Sequence, residues 1–185
     1  HWTVDVLINN AGFGTFGFLN EIDLEREIDM INLNVMNTYL LTRLFLKEMI
    51  ERDAGQIINI SSNSSFQPIP KMNTYASTKA FVTHFSRGLT EELKMMKSNI
   101  KVMTVCPAAI RDTAFKKVGK MEHVKTFDGL ATTSTEEVGK DIWKGFLKGK
   151  DFVVIGKKMR FLYRIKWLIP YHLNQFLVRT EIKTN

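Results

Sequence analysis

The stretch Ile57-Ile58-Asn59-Ile60-Ser61-Ser62, followed after a loop of twelve residues by Tyr75-Ala76-Ser77-Thr78-Lys79, decides the fold class. The first segment is a short apolar run that ends in serines, which is typical of a buried strand. The second segment opens a helical pattern with an apolar stripe through Phe81, Phe85 and Leu89. A buried strand followed by a helix that covers it is the unit from which parallel sheets are built.

The rest of the chain alternates in the same way. Apolar runs bounded by turn residues predict further strands at 4–9, 100–106 and 152–155. Helical patterns are predicted over 19–49, over 75–97, and from a capping box at Ser134 and Glu137 to about Leu147. Strands that alternate with helices predict an α/β fold with a parallel sheet covered on both faces.

The composition is that of one globular domain or of a part of one. The chain has 185 residues, of which 44% are hydrophobic and 24% charged, and these fractions exclude a disordered, collagen-like or low-complexity protein. The sequence has no run of about 20 apolar residues, the length that a membrane-spanning helix needs. The single cysteine, Cys106, excludes an intramolecular disulfide and a four-cysteine zinc site, and it favours a reducing, cytoplasmic location.

The positive charge is concentrated near the C-terminal end. The chain carries a net charge of +7, and residues 144–185 hold ten Lys and Arg against Asp151 and Glu181. The remaining residues are therefore close to neutral. A nucleic-acid-binding domain would carry basic residues in its main motifs, so nucleic acid is not expected as a partner.

Tyr75 and Lys79 carry the main chemical signal. Residues four apart share one face of a helix, so the Lys79 ammonium is expected near the Tyr75 phenol. An ammonium stabilises a phenolate, and we therefore expect the pKa of Tyr75 to fall from about 10 toward neutrality. Such a phenol could act as a general acid or base on an oxygen that is reduced or oxidised. The alternative is an amphipathic helix that carries both residues by chance.

Three strand ends bear residues that could complete a site with this pair. Ser62 follows the strand at 57–60, Asn9-Asn10-Ala11-Gly12 ends the first strand, and Cys106-Pro107 ends the third. Ligands of open α/β sheets bind beyond the carboxyl ends of the strands. Residues 12–17 also match G-x-G-x-x-G, but no acidic residue ends a following strand, so a flexible loop is favoured over a dinucleotide fingerprint.

Together these motifs resemble those of the short-chain dehydrogenase/reductase family. They occur in the family's order: N-N-A-G at 9–12, a helical asparagine at Asn34, a serine at Ser62, and Y-x-x-x-K at Tyr75 and Lys79. The resemblance implies the C-terminal part of a doubly wound, Rossmann-type parallel sheet that begins near the family's fourth strand, with the first βαβ half absent. We therefore expect the first strand to lie on an open edge, and we expect this piece alone neither to fold cleanly nor to bind cofactor.

The resemblance also implies a role for each motif residue. Tyr75 would be the catalytic acid/base, and Lys79 would lower its pKa and hold the ribose hydroxyls of the nicotinamide. Ser62 would bind the substrate oxygen, and Asn34 would anchor a water that links Lys79 to solvent. The adenosine side of an NAD(P) cofactor, with NADP slightly favoured, would lie along Asn10, Ala11 and Gly12. The alternatives are a strand-end cap for Ser62 and a satisfied core amide for Asn34.

One segment departs from the family pattern. Residues 106–113 read Cys-Pro-Ala-Ala-Ile-Arg-Asp-Thr, where the family usually has Pro-Gly and a threonine about one position earlier. We expect Ala108 to be strained where a glycine would be free. On the resemblance, cofactor contacts are also predicted for Tyr75, Pro107, Ile110 and Thr113, and substrate contacts for Ser62 and Tyr75. Residues 114–133 would form the substrate flap, whose Lys and aromatic residues fit a hydrophobic substrate with an anionic end or an ordinary solvated loop.

Residues 157–185 are predicted to be a basic amphipathic extension beyond a catalytic core at 1–156. Apolar residues form a helical stripe over 161–169, with Arg160 and Arg164 elsewhere on the helical wheel. One interpretation is peripheral contact with a membrane through 157–169. The other is docking on the protein's own body or on a subunit of a homo-oligomer.

The leading functional hypothesis is an NAD(P)-dependent oxidoreductase that transfers a hydride between nicotinamide and a carbonyl or secondary alcohol. A looser resemblance of the C-terminal segment to steroid and long-chain 3-oxoacyl reductases of the family suggests a hydrophobic substrate. The alternative is a non-catalytic relative that acts as a binding or membrane-surface module.

Overall fold

One parallel sheet organises the protein. The computed structural model describes residues 2–119, 121 and 132–182. Its four strands, β1 (Val6–Asn9), β2 (Gln56–Ile60), β3 (Lys101–Cys106) and β4 (Phe152–Val154), lie side by side in chain order and all run parallel. The predicted α/β class is confirmed, and the observed strands begin and end within two residues of the predicted limits.

Seven α-helices are formed by the described residues. They are α1 (Leu24–Ile31), α2 (Thr38–Arg52), α3 (Asn73–Met95), α4 (Phe115–Val118), α5 (Thr135–Leu147), α6 (Lys157–Ile165) and α7 (Tyr171–Ile182). A π-helical segment, Asn32–Asn37, joins α1 to α2, and 3₁₀ turns lie at Asn63–Phe66 and Lys166–Leu168. The capping box predicted at Ser134 and Glu137 is present at the start of α5.

The first helix begins five residues later than predicted. Its N-cap is Asp23, whose carboxylate accepts a hydrogen bond from the backbone N–H of Arg26 at 2.9 Å. A carboxylate that satisfies a free N–H group of the first turn fixes where a helix starts. The apolar periodicity before Asp23 carries no such information, and the prediction of a start at residue 19 is wrong.

The sheet is covered on both faces, as predicted. Ile57 and Ile58 are consecutive in β2 and therefore point to opposite faces. Ile57 packs in a buried cluster with residues of α2 and α3, namely Met49, Leu89 and Leu93. Ile58 packs in a second cluster with Met103, Val105 and Val153. Residues of α5 pack against this second cluster.

Buried polar side chains near the carboxyl ends of β1 and β2 hydrogen-bond these strands to α2 and α3. Asn9 and Asn59 are paired in register, and Asn9 Nδ2 donates to Asn59 Oδ1 at 2.7 Å and to Thr42 Oγ1 at 3.1 Å. Asn59 Nδ2 in turn donates to Ser86 Oγ of α3 at 2.8 Å. These bonds hold α2 and α3 at fixed positions relative to β1 and β2.

The open edge expected at the first strand is present. Within the described residues β1 pairs with β2 alone, and its Val6 and Ile8 side chains are exposed. At the other edge, β4 leads into α6.

The C-terminal segment differs from the prediction of one helix over 157–169. The helix ends at Ile165, a 3₁₀ turn follows, and α7 begins after Pro170. The predicted apolar stripe does not dock on the body as one surface, because Phe161, Leu162 and Leu168 are exposed. None of the helices in the described part of the chain is both long and apolar enough to cross a membrane.

Candidate active site

Tyr75 and Lys79 lie on the first turns of α3, beside the carboxyl ends of β1 and β2. Both side chains are buried, with exposed fractions of 7% and 6%. Lys79 Nζ lies 5.9 Å from the centroid of the Tyr75 ring, so the predicted shared helix face is confirmed. The pair therefore occupies a place where water is largely excluded and electrostatic interactions are strong.

The Lys79 ammonium reaches back to the sheet. Its Nζ donates a hydrogen bond to the main-chain oxygen of Ile60, the last residue of β2, at 3.0 Å. Burial lowers the pKa of Lys79 to about 8, because a low-dielectric surrounding disfavours the cation. An ammonium has three N–H donors, so this side chain can still donate to a bound ligand.

The Tyr75 phenol keeps its proton more firmly than the sequence suggested. Burial raises the pKa of Tyr75 to about 12, and this effect outweighs that of the nearby Ser62 and Ser64 hydroxyls, which lower the pKa. The expected fall of the pKa toward neutrality is therefore wrong for this structure. The sequence showed the neighbouring cation but not the depth of burial, which decides the direction here.

Ser62 caps the turn that follows β2 and also lies beside Tyr75. Its Oγ accepts a hydrogen bond from the backbone N–H of Ser64 at 3.1 Å and so caps the 3₁₀ turn after β2. The same side chain lies near enough to the Tyr75 phenol to lower its pKa, although burial raises that pKa by more. The strand end thus fixes this serine beside the phenol.

Asn34 lies in the π-helical segment and clamps two parts of the site together. Its Nδ2 donates to Phe13 O at 2.9 Å and to Thr78 Oγ1 at 3.0 Å, and its Oδ1 accepts from Phe13 N at 3.2 Å. The side chain is therefore a satisfied core amide, the alternative that the sequence left open. Single π-helical segments are frequent at functional sites.

The loop after β1 lies directly against the Tyr–Lys pair. A Cβ atom at Gly12 would stand 2.8 Å from Asn34 Oδ1 and 3.3 Å from Lys79 Nζ, and one at Gly14 would stand 3.0 Å from Tyr75 Cδ2. Glycine at positions 12 and 14 therefore allows the loop to pack closely against Asn34, Tyr75 and Lys79. The backbone has no regular structure over 10–17, so the interpretation of G-x-G-x-x-G as a loop is confirmed. Asn10 and Ala11 are exposed beside Gly12.

The loop after β3 flanks the same edge. Pro107 O accepts a hydrogen bond from Asn63 N at 2.9 Å, next to Ser62. Ala108 is buried and does not have a positive φ, so the strain expected from the missing glycine is absent. Further along this loop, Ile110 forms an isolated bridge with Thr133, and Thr113 Oγ1 accepts from Phe115 N at 3.4 Å.

Three contacts of the site were not foreseen. Phe115 of α4 packs its ring on Tyr75 with 5.3 Å between the ring centroids, whereas the sequence placed it only in a variable flap. Phe13 and Thr78 hold Asn34, and nothing in their spacing signals this. Of the predicted flap at 114–133, residues 120 and 122–131 lie outside the described residues.

Comparison with known proteins identifies the family. The model for short chain dehydrogenases matches residues 1–123. The chain belongs to the short-chain dehydrogenase family. It is 40% identical over 121 residues to a very-long-chain 3-oxoacyl-CoA reductase of Anas platyrhynchos, an alignment that covers 63% of this chain and 38% of the relative. A probable NADP-dependent dehydrogenase of Haemophilus influenzae is 36% identical over 141 residues, which cover 73% of this chain and 55% of that protein.

A solved structure of the family has the same arrangement. The short-chain dehydrogenase from Sphingobium yanoikuyae in complex with NADPH superposes with a TM-score of 0.74 at 29% identity. The match covers 81% of this chain and 56% of that one. The matched part of this chain spans 38% of the reductase, 55% of the Haemophilus influenzae protein and 56% of the solved chain.

Proposed function

We propose that these residues belong to an NAD(P)-dependent oxidoreductase that interconverts the carbonyl and alcohol groups of a hydrophobic substrate, with Tyr75 as the acid/base. The observation that carries the proposal is the buried Tyr75 phenol, which lies near Ser62 and shares a helix face with the Lys79 ammonium. The names of relatives as dehydrogenases and reductases support the same chemistry.

The residues at the carboxyl ends of β1, β2 and β3 fit a nicotinamide dinucleotide. Lys79 has N–H donors beyond the one bound to Ile60 O, which ribose hydroxyls could accept. The loop after β1 has no side chain at Gly12, where one would crowd the ammonium. We therefore assign cofactor binding to Lys79, to Asn10, Ala11 and Gly12, and to Pro107, Ile110 and Thr113 after β3. Such a cofactor, when bound, supplies the hydride. NADP is favoured because relatives are named for NADP or solved with NADPH.

Tyr75 is the proton donor in this proposal. Because burial raises its pKa to about 12, the phenol holds its proton at neutral pH and can give it to a carbonyl oxygen that is being reduced. The Ser62 hydroxyl is held at the phenol and can donate to the same oxygen. Lys79, with a pKa of about 8, is still mostly protonated at pH 7 and stabilises the phenolate that remains. A protonated phenol is suited to donate the proton that reduction of a carbonyl requires.

The surroundings of Tyr75 support a hydrophobic substrate. Phe115 covers the ring, and an apolar cluster with Met121 at its centre includes Phe16, Met72 and Phe115. A long-chain 3-oxoacyl thioester is the first substrate class to test, since relatives are named for it.

The test is NADPH consumption by the complete protein that carries this sequence, offered long-chain 3-oxoacyl thioesters and, in parallel, hydrophobic ketones. General acid catalysis contributes about 10²–10⁴-fold, so Tyr75→Phe should lower kcat/KM by that factor and leave NADPH affinity unchanged. Tyr39→Phe, on the outer side of α2, is the matched control and should keep full activity.

Two outcomes would overturn the proposal. If Tyr75→Phe retains its rate, Tyr75 is not the acid. If the unaltered protein is folded but binds neither NADPH nor NADH, the alternative of a non-catalytic binding module is supported instead. Peripheral membrane contact through 157–169, self-association and a cytoplasmic location stay predictions.

A further inference from the structure

The C-terminal helices expose their large apolar side chains. The face of α7 that docks on the body carries the buried Gln175 and Val178, and Asn174 Nδ2 donates to Gln67 Oε1 at 2.9 Å. A helix of a globular protein normally turns its apolar side inward. Here the exposed side chains are the larger apolar ones: Phe161, Leu162, Trp167, Leu168, Tyr171, Leu173, Phe176 and Leu177. Clustered exposure of this kind along one segment marks an interaction surface.

The same segment is strongly basic. Residues 152–180 contain six Lys and Arg and no Asp or Glu. Lys157 and Lys158 are exposed and line a shallow groove with Phe161 and Leu162, so cations and apolar side chains share one surface. Arg160 alone pairs with an acid among the described ion pairs of this segment, contacting Asp141 of α5 at 3.2 Å.

We propose that residues 157–182, here called the docking surface, lie on a negatively charged membrane surface. Basic side chains would contact anionic headgroups while Trp, Phe and Leu side chains enter the interface. Trp167 and Tyr171 are of the residue types that favour the boundary between headgroups and acyl chains. A second copy of the chain is disfavoured as the occupant, because a two-fold interface brings the same surface together and would oppose cations to cations.

The docking surface is joined to the candidate active site. Tyr163 of α6 packs on Phe66 with 4.6 Å between ring centroids, and Asn174 of α7 bonds Gln67. Phe66 ends the 3₁₀ turn that Ser62 caps. A membrane-bound docking surface would therefore hold the site close to the bilayer, where a hydrophobic substrate is concentrated. This consequence rests on the proposed function, whereas the membrane contact itself does not.

Flotation of the complete protein with lipid vesicles tests the proposal. We expect it to float with vesicles of phosphatidylcholine and phosphatidylserine at low salt, and to float much less with phosphatidylcholine alone or at high salt. Trp167→Ser with Leu168→Ser, at side chains 80% and 82% exposed, should lower the partition constant about ten-fold or more. Lys157→Glu with Lys158→Glu should do the same.

The chain offers matched controls on α5. Trp143→Ser with Leu147→Ser removes side chains that are 59% and 65% exposed, and Lys144→Glu with Lys148→Glu reverses two exposed charges. Both should leave flotation unchanged, and circular dichroism verifies that all variants are folded. The proposal is overturned if the unaltered protein does not float with anionic vesicles, or if the α5 variants lose as much binding. It is also overturned if sedimentation without lipid shows an oligomer that the Trp167 and Leu168 changes dissociate, because the surface then binds a second copy.

Discussion

Replacing Lys79 by methionine should stabilise the protein at neutral pH while it abolishes activity. Burial lowers the pKa of Lys79 from 10.5 to about 8, so the folded state holds a cation that it disfavours. That difference in pKa corresponds to about 3 kcal/mol at pH 7, where the lysine is charged in both the folded and unfolded states. Methionine keeps the length of the side chain but leaves Ile60 O without its donor, which costs about 1 kcal/mol. The expected net gain is about 2 kcal/mol.

The pH dependence gives the sharper signature. As the pH rises through 8, folded Lys79 releases its proton while the unfolded chain keeps it up to about 10.5, so the free energy of unfolding rises. Between pH 7 and 9 the rise is about 1 kcal/mol, and the variant lacks it. Burial raises the pKa of Cys106 to about 11 and that of Tyr75 to about 12, so both lower stability at high pH. They do so in both proteins, and the difference between the two curves isolates Lys79.

The assay is urea unfolding of the complete protein, followed by circular dichroism at pH 7, 8 and 9. Lys47→Met removes an exposed lysine from α2 and should change the free energy of unfolding by less than about 0.5 kcal/mol. The reasoning fails if Lys79→Met is less stable than the unaltered protein at pH 7. It fails equally if both proteins gain the same stability between pH 7 and 9.

Four further substitutions test the packing and hydrogen bonds around the site and in α5. Gly12→Ala should lower the free energy of unfolding in urea by about 1–3 kcal/mol, because the new Cβ would stand 2.8 Å from Asn34 Oδ1. Gly139→Ala is the control: its Cβ would meet open space in α5, so the free energy of unfolding should rise by about 0.5–1 kcal/mol. Equal effects of the two substitutions would contradict the predicted crowding at Gly12. Asn34→Asp replaces the donor that binds Phe13 O by an acceptor and should cost about 1–3 kcal/mol, a loss that would be missing if this clamp were weak. Ser134→Ala removes the N-cap of α5 and should lower the free energy of unfolding by about 1 kcal/mol, and an unchanged Tm would show that the cap contributes nothing.

The sequence predicts those parts of the fold that depend only on hydrophobic periodicity and on the order of elements along the chain. Buried parallel strands are short apolar runs, so β2 and β3 could be located within a residue or two from the pattern alone. The rule that ligands bind beyond the carboxyl ends of strands also predicts that Ser62 and Gly12 lie close together, beside the helix that carries Tyr75. Both steps depend on order along the chain and on periodicity, which the sequence contains directly.

Properties that depend on burial by distant segments were predicted less well. The neighbouring Lys79 suggested a lowered pKa for Tyr75, but the packing of the site buries the phenol and reverses the direction. The same limit applies to α6, where periodicity reveals an apolar stripe but not whether anything covers it. Phe161 and Leu168 are exposed because no other described segment covers them, which the periodicity of α6 does not show.

Asn34 shows how a resemblance and a structure constrain each other. The resemblance implies an anchor for a water, whereas the structure engages its amide with Phe13 and Thr78. An amide that already donates twice and accepts once has one acceptor position left, so its side chain is mainly a clamp. We propose that a water-anchoring role falls to the main-chain oxygen of Asn34, which accepts from Thr38 Oγ1 at 3.0 Å. The clamp and the anchor are then compatible, because the side chain fixes the π-helical segment whose backbone would hold the water.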